Sequence, residues 1–505
     1  MGGQKPHLLV KTVNNLGAET IVEYAPSTKF YLQDKLAGTP WITKLPFPVH
    51  VVERVETLDR ISGNRFVTRH AYHHGYFDGV EREFRGFGMV EQWDTEEFTI
   101  LTADGMLPAT NLDAAFYVPP VLTRTWFHTG AYIDRERISN FFAHLAPEQG
   151  GYYQEPGLTP AQIEQLLLDD TVLPAGLTAD EEREACRSLK GAMLRQEVYA
   201  LDGTNKQPHP YSVAEQNYTI EPVQSRGTNQ YAVFFTHARE SLTYHYERNP
   251  ADPRIGHEMV LEVDEFGNVL KSVAIAYPRR TPAYPEQGKT PITYTENQVF
   301  NQENPLLGWY RIGVPIETRT YEITGIDPPQ PPLKNGEERL GEIRGQLASA
   351  VEISYETAAT TGIQKRLIER VRTLYRRDSE ANTTDPAPLP LGQIDSLALP
   401  YESYKMAFTP GLLTQVFSSK ITSGDLNALL SNEGKYILQD GVWWIPSGRQ
   451  AFDPSRFYLS THMKDPFGGI STMLYDHYAL LAIESRDSLP DPLTNIVRIR
   501  NNYRT

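Results

Sequence analysis

Between Arg69 and Trp93 the chain reads RHAYHHGYFDGVEREFRGFGMVEQW, with Tyr72, Tyr76, Phe77, Phe84, Phe87 and Trp93 interspersed with Gly75, Gly79, Gly86 and Gly88. Glycine tolerates left-handed backbone and close strand approach, while aromatic rings fill a pleated, half-buried surface. The stretch predicts a sharply turned antiparallel ribbon. The chain on both sides must then supply neighbouring strands.

The flanks agree. Leu8, Val10 and Thr12 alternate with Leu9, Lys11 and Val13; a turn at Asn14-Asn15-Leu16-Gly17 follows, and then Thr20, Val22 and Tyr24. This predicts a hairpin. The spacing D/N-x-x-G-x6-Y recurs from Asp465 through Gly468 to Tyr475, and more loosely from Asp264 through Gly267 to Tyr277. In such a turn the Asp or Asn accepts backbone hydrogen bonds, Gly takes positive φ, and Tyr ends the strand on a fixed face. Period-two runs over 50–58 and 64–73 extend the sheet, 96–101 (EEFTIL) predicts a further short strand, and Pro119-Pro120 marks a corner.

After Gly130 the pattern changes. Helical spacing over 134–145, and capping residues at Thr159 and Thr178 with Gln162 and Glu181 three positions on, predict a helical insert of three short helices at about 131–197. Strands return at 230–235, 242–247 and 257–263, while the proline-rich runs 281–291 and 327–337 read as loops. QKRLIERVRTLYRRD (364–378) fits a helix face, yet its β-branched and aromatic content also permits a strand. Residues 423–432 predict a helix, and 441–448 a strand with a turn.

Composition narrows the function. A net charge of −15 argues against nucleic acid or an anionic membrane as partner. One cysteine, Cys186, excludes an internal disulfide or a CxxC site, and its helical context predicts a small buried hydrophobe. The N-terminus has no apolar signal core, and no run approaches the length of a membrane span. His73 and His74 with Asp78, Glu81 and Glu83 could suggest a metal or acid–base site. Adjacent strand positions point to opposite faces, so the two histidines could share an ion only across a bulge. With Arg82 and Arg85 alongside, ion-paired turn residues are the expectation. Trp443 and Trp444 could form a carbohydrate platform, but alternation predicts one buried and one exposed ring. The arginines of 365–377 read as a solvated or cross-strand-paired face. No GxSxG elbow, HExxH helix, P-loop or dinucleotide fingerprint is present. The expectation is no catalytic, cofactor-binding or metal-binding residue, and no cofactor.

The run HHGYFDGVEREFRGFG resembles the central segment of the B component of bacterial insecticidal toxin complexes (Tc toxins), of the wider Rhs/YD-repeat group. The resemblance continues through 24–59, 117–132, 196–204, 208–218, 364–378, 388–413 and 465–469, and so over almost the whole chain. It implies a mainly β fold of curved antiparallel sheets, shell-like, with a small helical insert, and tips 364–378 towards a strand. It also implies a division into 1–60, the end of the first central region; 61–215, the second central region with the insert; and 216–505, a β-rich Rhs/YD-like shell segment.

What the resemblance implies of function is structural: a non-catalytic wall segment of the hollow shell that holds and delivers a toxic cargo. The implied partners are the C component with its cargo and, indirectly, the pore-forming A component, without nucleic acid or direct membrane insertion. No propeller repeats, long repeat array or aspartyl self-cleaving motif is found, so a shell piece, a truncated product or the product of a split gene is expected. Such a complex would be secreted without a recognisable signal peptide and cytoplasmic before release. The competing reading is a secreted carbohydrate-binding or glycan-processing β protein.

Overall fold

The computed structural model describes residues 5–14, 16–95, 117–326, 328, 336–490 and 493–500. The expected strand at 96–101 and most of the proline-rich run 327–337 lie outside the described residues.

The chain is mainly β, and most of its strands follow one another in a single antiparallel meander. β1 (Lys11–Val13) pairs with β2 (Ala18–Pro26), β2 with β3 (His50–Asp59), and β3 with β4 (Asn64–Asp78). β4 pairs with β5 (Glu83–Trp93), which continues to β6 (Val121–Phe127), β7 (Met193–Ala200), β8 (Ser212–Gln224) and β9 (Val233–His245). The ladder runs on through β10 (Arg254–Val263), β11 (Val269–Tyr277), β12 (Ile292–Gln302) and β13 (Arg311–Thr324). β14 (Val351–Ile353) joins β15 (Gln364–Tyr375) in parallel, while β13 and β15 pair directly. β16 (Pro400–Phe408), β17 (Ile437–Gln439) and β18 (Val442–Pro446) complete this 18-stranded sheet. A separate five-stranded sheet holds β19 (Arg449–Asp453), β20 (Leu459–Lys464), β21 (Ile470–Tyr475), β22 (Ala482–Arg486) and β23 (Ile496–Arg498). The ambiguous run 364–378 is thus a strand along 364–375.

The D/N-x-x-G turns form as their chemistry requires. Asn14 Oδ1 accepts from the amides of Leu16 and Ala18 at 3.2 and 2.7 Å; Asp264 Oδ1 accepts from Phe266 and Asn268 at 3.0 and 2.9 Å; Asp465 Oδ1 accepts from Phe467 and Gly469 at 2.9 and 2.8 Å. Gly17, Gly267 and Gly468 take φ of 104°, 86° and 94°. Tyr24 and Tyr475 each reach back fifteen residues, donating to the carbonyls of Leu9 and Ser460. A fourth turn of this type, at Asp476, has Ala479 at φ 55° where the others have glycine.

Helices are few. α1 (Ser27–Ala37) lies between β2 and β3, and α2 (Pro160–Gln165) and α3 (Ala179–Ser188) fall in the predicted insert. The last two start at Thr159 and Thr178 through the reciprocal capping boxes read from sequence. The helix expected at 134–145 is absent; turns replace it. Its amides are drawn elsewhere, since those of Ile138 and Ser139 both donate to Asp170 at 2.7 Å. Ile138 packs in one core cluster and Phe141 and Phe142 in another, so no single helical face could bury all three. α4 (Gly336–Ala348) lays Leu340, Ile343 and Leu347 on the main core beneath β8–β13. α5 (Pro410–Phe417) and α6 (Ser423–Ala428), followed by a π turn at Leu429–Glu433, pack on β18. Among the described residues no helix is long and apolar enough to cross a membrane.

Candidate functional site

The aromatic ribbon is the hairpin of β4 and β5, and its register breaks between Gly75 and Phe77. Around it the glycine backbone is closely covered. A Cβ on Gly75 would lie 2.7 Å from the Trp41 ring, and one on Gly88 would lie 2.6 Å from Phe142. Rings from the β2–β3 connection and from the insert thus press against bare backbone, and His74 takes up the irregularity at φ 57°.

That bulge brings His73 and His74 to one cavity of about 220 Å³, with Asp34, Glu91, Arg124 and Glu148 also on its wall. His73 Nδ1 lies 2.7 Å from Asp34 Oδ2, and its Nε2 lies 3.5 Å from Glu91 Oε2, while Arg124 Nε donates to the other Glu91 oxygen at 2.8 Å. Burial disfavours the His73 cation, but the two carboxylates outweigh it and raise its pKa to about 9. His74 Nδ1 instead accepts the Ile42 amide at 3.2 Å; burial, helped by the charge on His73, pushes it down to about 4. The bulge is the exception the alternation argument allowed, and through it both histidines line one cavity. Among the described residues, no group of three or more His, Cys, Asp or Glu is placed to hold a metal ion.

The ribbon's acids are ion-paired. Asp78 receives the amides of Val80 and Glu81 and lies 3.0 Å from Arg85 and 3.4 Å from Arg183. Glu83 faces Lys190 at 2.8 Å, Arg187 at 3.2 Å and Arg85 at 3.3 Å, and Glu81 accepts from the Tyr231 hydroxyl at 2.8 Å. Most of these cations come from α3 and the residues just after it, about a hundred positions away in sequence. Sequence proximity identified Arg85 but not the rest; Arg82 sits in the turn at φ 53°.

Sequence reading missed a second constellation inside the sheet. Arg195 Nε lies 2.7 Å from Glu197 Oε1, and its Nη1 lies 2.6 Å from Glu215 Oε2, all three being buried. The Tyr153 amide donates to Glu197 and the Leu168 amide to Glu215, at 2.8 and 2.9 Å. Farther along, Asn217 donates to Glu240, which also faces His257 Nε2 at 3.2 Å. Burial raises the pKa of Glu215 against the pull of Arg195; in Glu240 the His257 and Asn217 contacts overcome burial and hold it at about 2. These groups bolt the 131–192 segment onto β7–β9 around a cavity of about 510 Å³ lined by Ser139, Asn140, Asp170, Glu215, Asn217 and Arg239. The polar atoms of Asp170, Glu215 and Asn217 already serve the fold. The only local hint was polar residues at inward strand positions.

The remaining sequence candidates are structural. Trp443 and Trp444 do point to opposite sides, but both are buried, which corrects the expected exposed ring. Trp443 packs under α5 and α6, and Trp444 lies 3.8 Å from the Arg372 guanidinium and beside Tyr401 and Tyr404. A stacking platform for sugar rings is therefore not available there. Across the strands, Arg366 faces Glu322 at 3.4 Å and Arg370 faces Glu317 at 2.8 Å, the cross-strand pairing expected of that segment. Arg372 and Arg376 are buried instead, Arg372 against Asp440 and Gln439 and Arg376 donating to the carbonyls of Pro400 and Thr383. Cys186 is fully buried among Ile138, Leu173 and Leu189, and burial pushes its thiol up to about 12.

Two family models match the chain: the insecticide toxin TcdB middle/N-terminal region over residues 2–130, and the TcdB middle/C-terminal region over 184–306. Among solved structures the chain is similar to TcdB2-TccC3-TEV, at 26% identity and a TM-score of 0.68, covering 96% of this chain and 22% of that one. It is similar to the Photorhabdus luminescens Tc holotoxin pore at 25% identity and a TM-score of 0.68, over 95% of this chain and 22% of that one. No curated protein matches. The chain thus spans about a fifth of the length of those solved chains.

Proposed function

We propose that this chain, which matches two models of the insecticide toxin TcdB middle region and is similar to TcdB2-TccC3 structures, is a wall segment of a protein shell. Its task is containment of a toxic polypeptide held by a C component, and it transforms no molecule itself. The observation that carries this reading is the single 18-stranded sheet, an antiparallel meander from β1 to β13 that continues through β15, β16 and β18, with few helices among the described residues. Such a surface is stiff because each interior strand is tied on both edges, and its register is fixed by buried rings and paired charges. Further support is that the acids of the aromatic ribbon and of the sheet interior are committed to cations or backbone amides.

Residues 1–60, 61–215 and 216–505 serve in this reading as consecutive units of the wall, with the insert as a buttress on one face. The C component and its cargo are the direct partners, and the pore-forming A component is reached only through the assembled complex. The complex acts outside the producing cell and is assembled inside it before release.

Light scattering on the purified chain, alone and mixed with a C-type repeat chain, tests the proposal. Open sheet edges predict self-association alone and a defined hetero-complex on mixing. A monomer that stays monomeric and ignores the C-type chain would overturn the reading.

A further inference from the structure

The connection between β2 and β3, residues 27–49, lies across the aromatic ribbon as a strap. Its apolar contacts are Phe30 against Tyr72, and Trp41 over Gly75 and against Phe87. Its polar anchors are few and mostly end at the histidine pair. The Thr43 hydroxyl donates to the carbonyls of His74 and Gly75 at 2.7 and 3.1 Å, and the Phe77 amide donates to the Lys44 carbonyl at 3.0 Å. Asp34, on α1, gathers His73 Nδ1 at 2.7 Å and Trp41 Nε1 at 2.6 Å on one oxygen. The Ile42 amide donates to His74 Nδ1.

These contacts set opposite demands on adjacent side chains. His73 sits between carboxylates of α1 and β5, a position that holds a cation with both ring nitrogens protonated. His74 accepts a backbone amide on Nδ1, which it can do only with that nitrogen unprotonated. We propose that residues 27–49 are a proton-gated strap, clamped on the ribbon only while His73 is charged and His74 is neutral. The charged and titratable groups facing the pair are Asp34 from α1, Glu91 from β5, Arg124 from β6 and Glu148 from the 147–150 turn.

The signs oppose each other. His73, raised against burial to about 9 by Asp34 of the strap together with Glu91 of the ribbon, contributes clamping that is present at neutral pH and is lost as pH rises through 9. His74, lowered to about 4, contributes clamping that is complete above 6.5 and is lost as pH falls through 4. Glu91 is held below its usual range because His73 and Arg124 outweigh burial, and since both partners lie outside the strap, on β4 and β6, it stays charged whether or not the strap is seated. Closure should peak near neutral pH. With one proton at stake on each limb, the closing constant changes by at most about tenfold per pH unit.

Hydrogen exchange by mass spectrometry on the full chain, corrected for the intrinsic pH dependence of exchange, reads the strap directly. Peptides from 27–49 should lose up to about a hundredfold in protection between pH 7 and pH 9, and again between pH 6 and pH 4, while β10–β13 stay protected. His73→Asn keeps a donor for Asp34 but cannot titrate, so the alkaline limb should vanish. His74→Asn keeps an acceptor for Ile42 and tolerates the positive φ, so the acid limb should shrink. A strap equally protected from pH 4 to pH 10, a strap that opens only when β10–β13 open, or an alkaline limb surviving in His73→Asn would each overturn the proposal.

Discussion

Replacing Arg195 with methionine should be among the most damaging single changes in the chain. Methionine keeps an apolar stem against the Tyr152 ring, which the guanidinium now overlies at 4.6 Å, so little packing is lost. What is lost is the cation between Glu197, whose side chain is fully buried, and Glu215, at 8% exposure. Removing one partner of a buried ion pair costs about 3–5 kcal/mol, and two carboxylates left facing each other favour the upper half of that range. The loss should be smaller at pH 5 than at pH 7. Without Arg195 the Glu215 pKa, already raised by burial, loses the pull that lowers it, and stability carried by a raised group is present at low pH and lost as pH increases. Arg195→Met/Glu197→Gln/Glu215→Gln removes the stranded charge while leaving amide oxygens for the Tyr153 and Leu168 amides, and should recover about 2 kcal/mol. Urea unfolding followed by tryptophan fluorescence, with Trp126 in the same layer, provides the assay. If the single variant cost under about 1 kcal/mol, or the triple variant proved less stable than the single, the reasoning about the buried charges would fail.

Three further outcomes follow from the packing. Gly88→Ala should lower stability by about 1–3 kcal/mol in thermal melts, because its Cβ would meet the fully buried Phe142 ring at 2.6 Å. Trp444→Ala should cost about 3–5 kcal/mol by urea titration and leave glycan-array signal unchanged, since the ring stacks on Arg372 out of solvent. Ala479→Gly should stabilise the Asp476 hairpin by up to about 1 kcal/mol, seen as slower amide exchange over 476–481, by relieving a left-handed alanine.

Local chemistry was legible wherever it acts over a few residues. The Asx-type turns, both capping boxes and the strand alternation of 50–58 were readable because each partner lies within five positions of its mate or shares a period. α1 was not, since its buried residues are only Ser27 and Phe30, too few to mark an amphipathic stripe. The turn at Asp476 escaped because alanine stands where a glycine would have signalled it. Residues 134–145 misled for the converse reason: their apolar spacing fits a helix, but Asp170, more than thirty residues on, takes their amides. The pairing of Arg187 and Lys190 with Glu83, that of Arg195 with Glu215, and the bulge that unites His73 with His74 are set by strand register and by contacts between distant segments. No window of the sequence contains those.

The central claim is that this chain helps to enclose another polypeptide. It is tested most directly by protease protection of a C-component cargo region produced together with a C-type chain, with and without this chain. The account predicts a cargo that resists digestion only when this chain is present, and becomes degraded once urea opens the sheet. Digestion at the same rate in both preparations would contradict it.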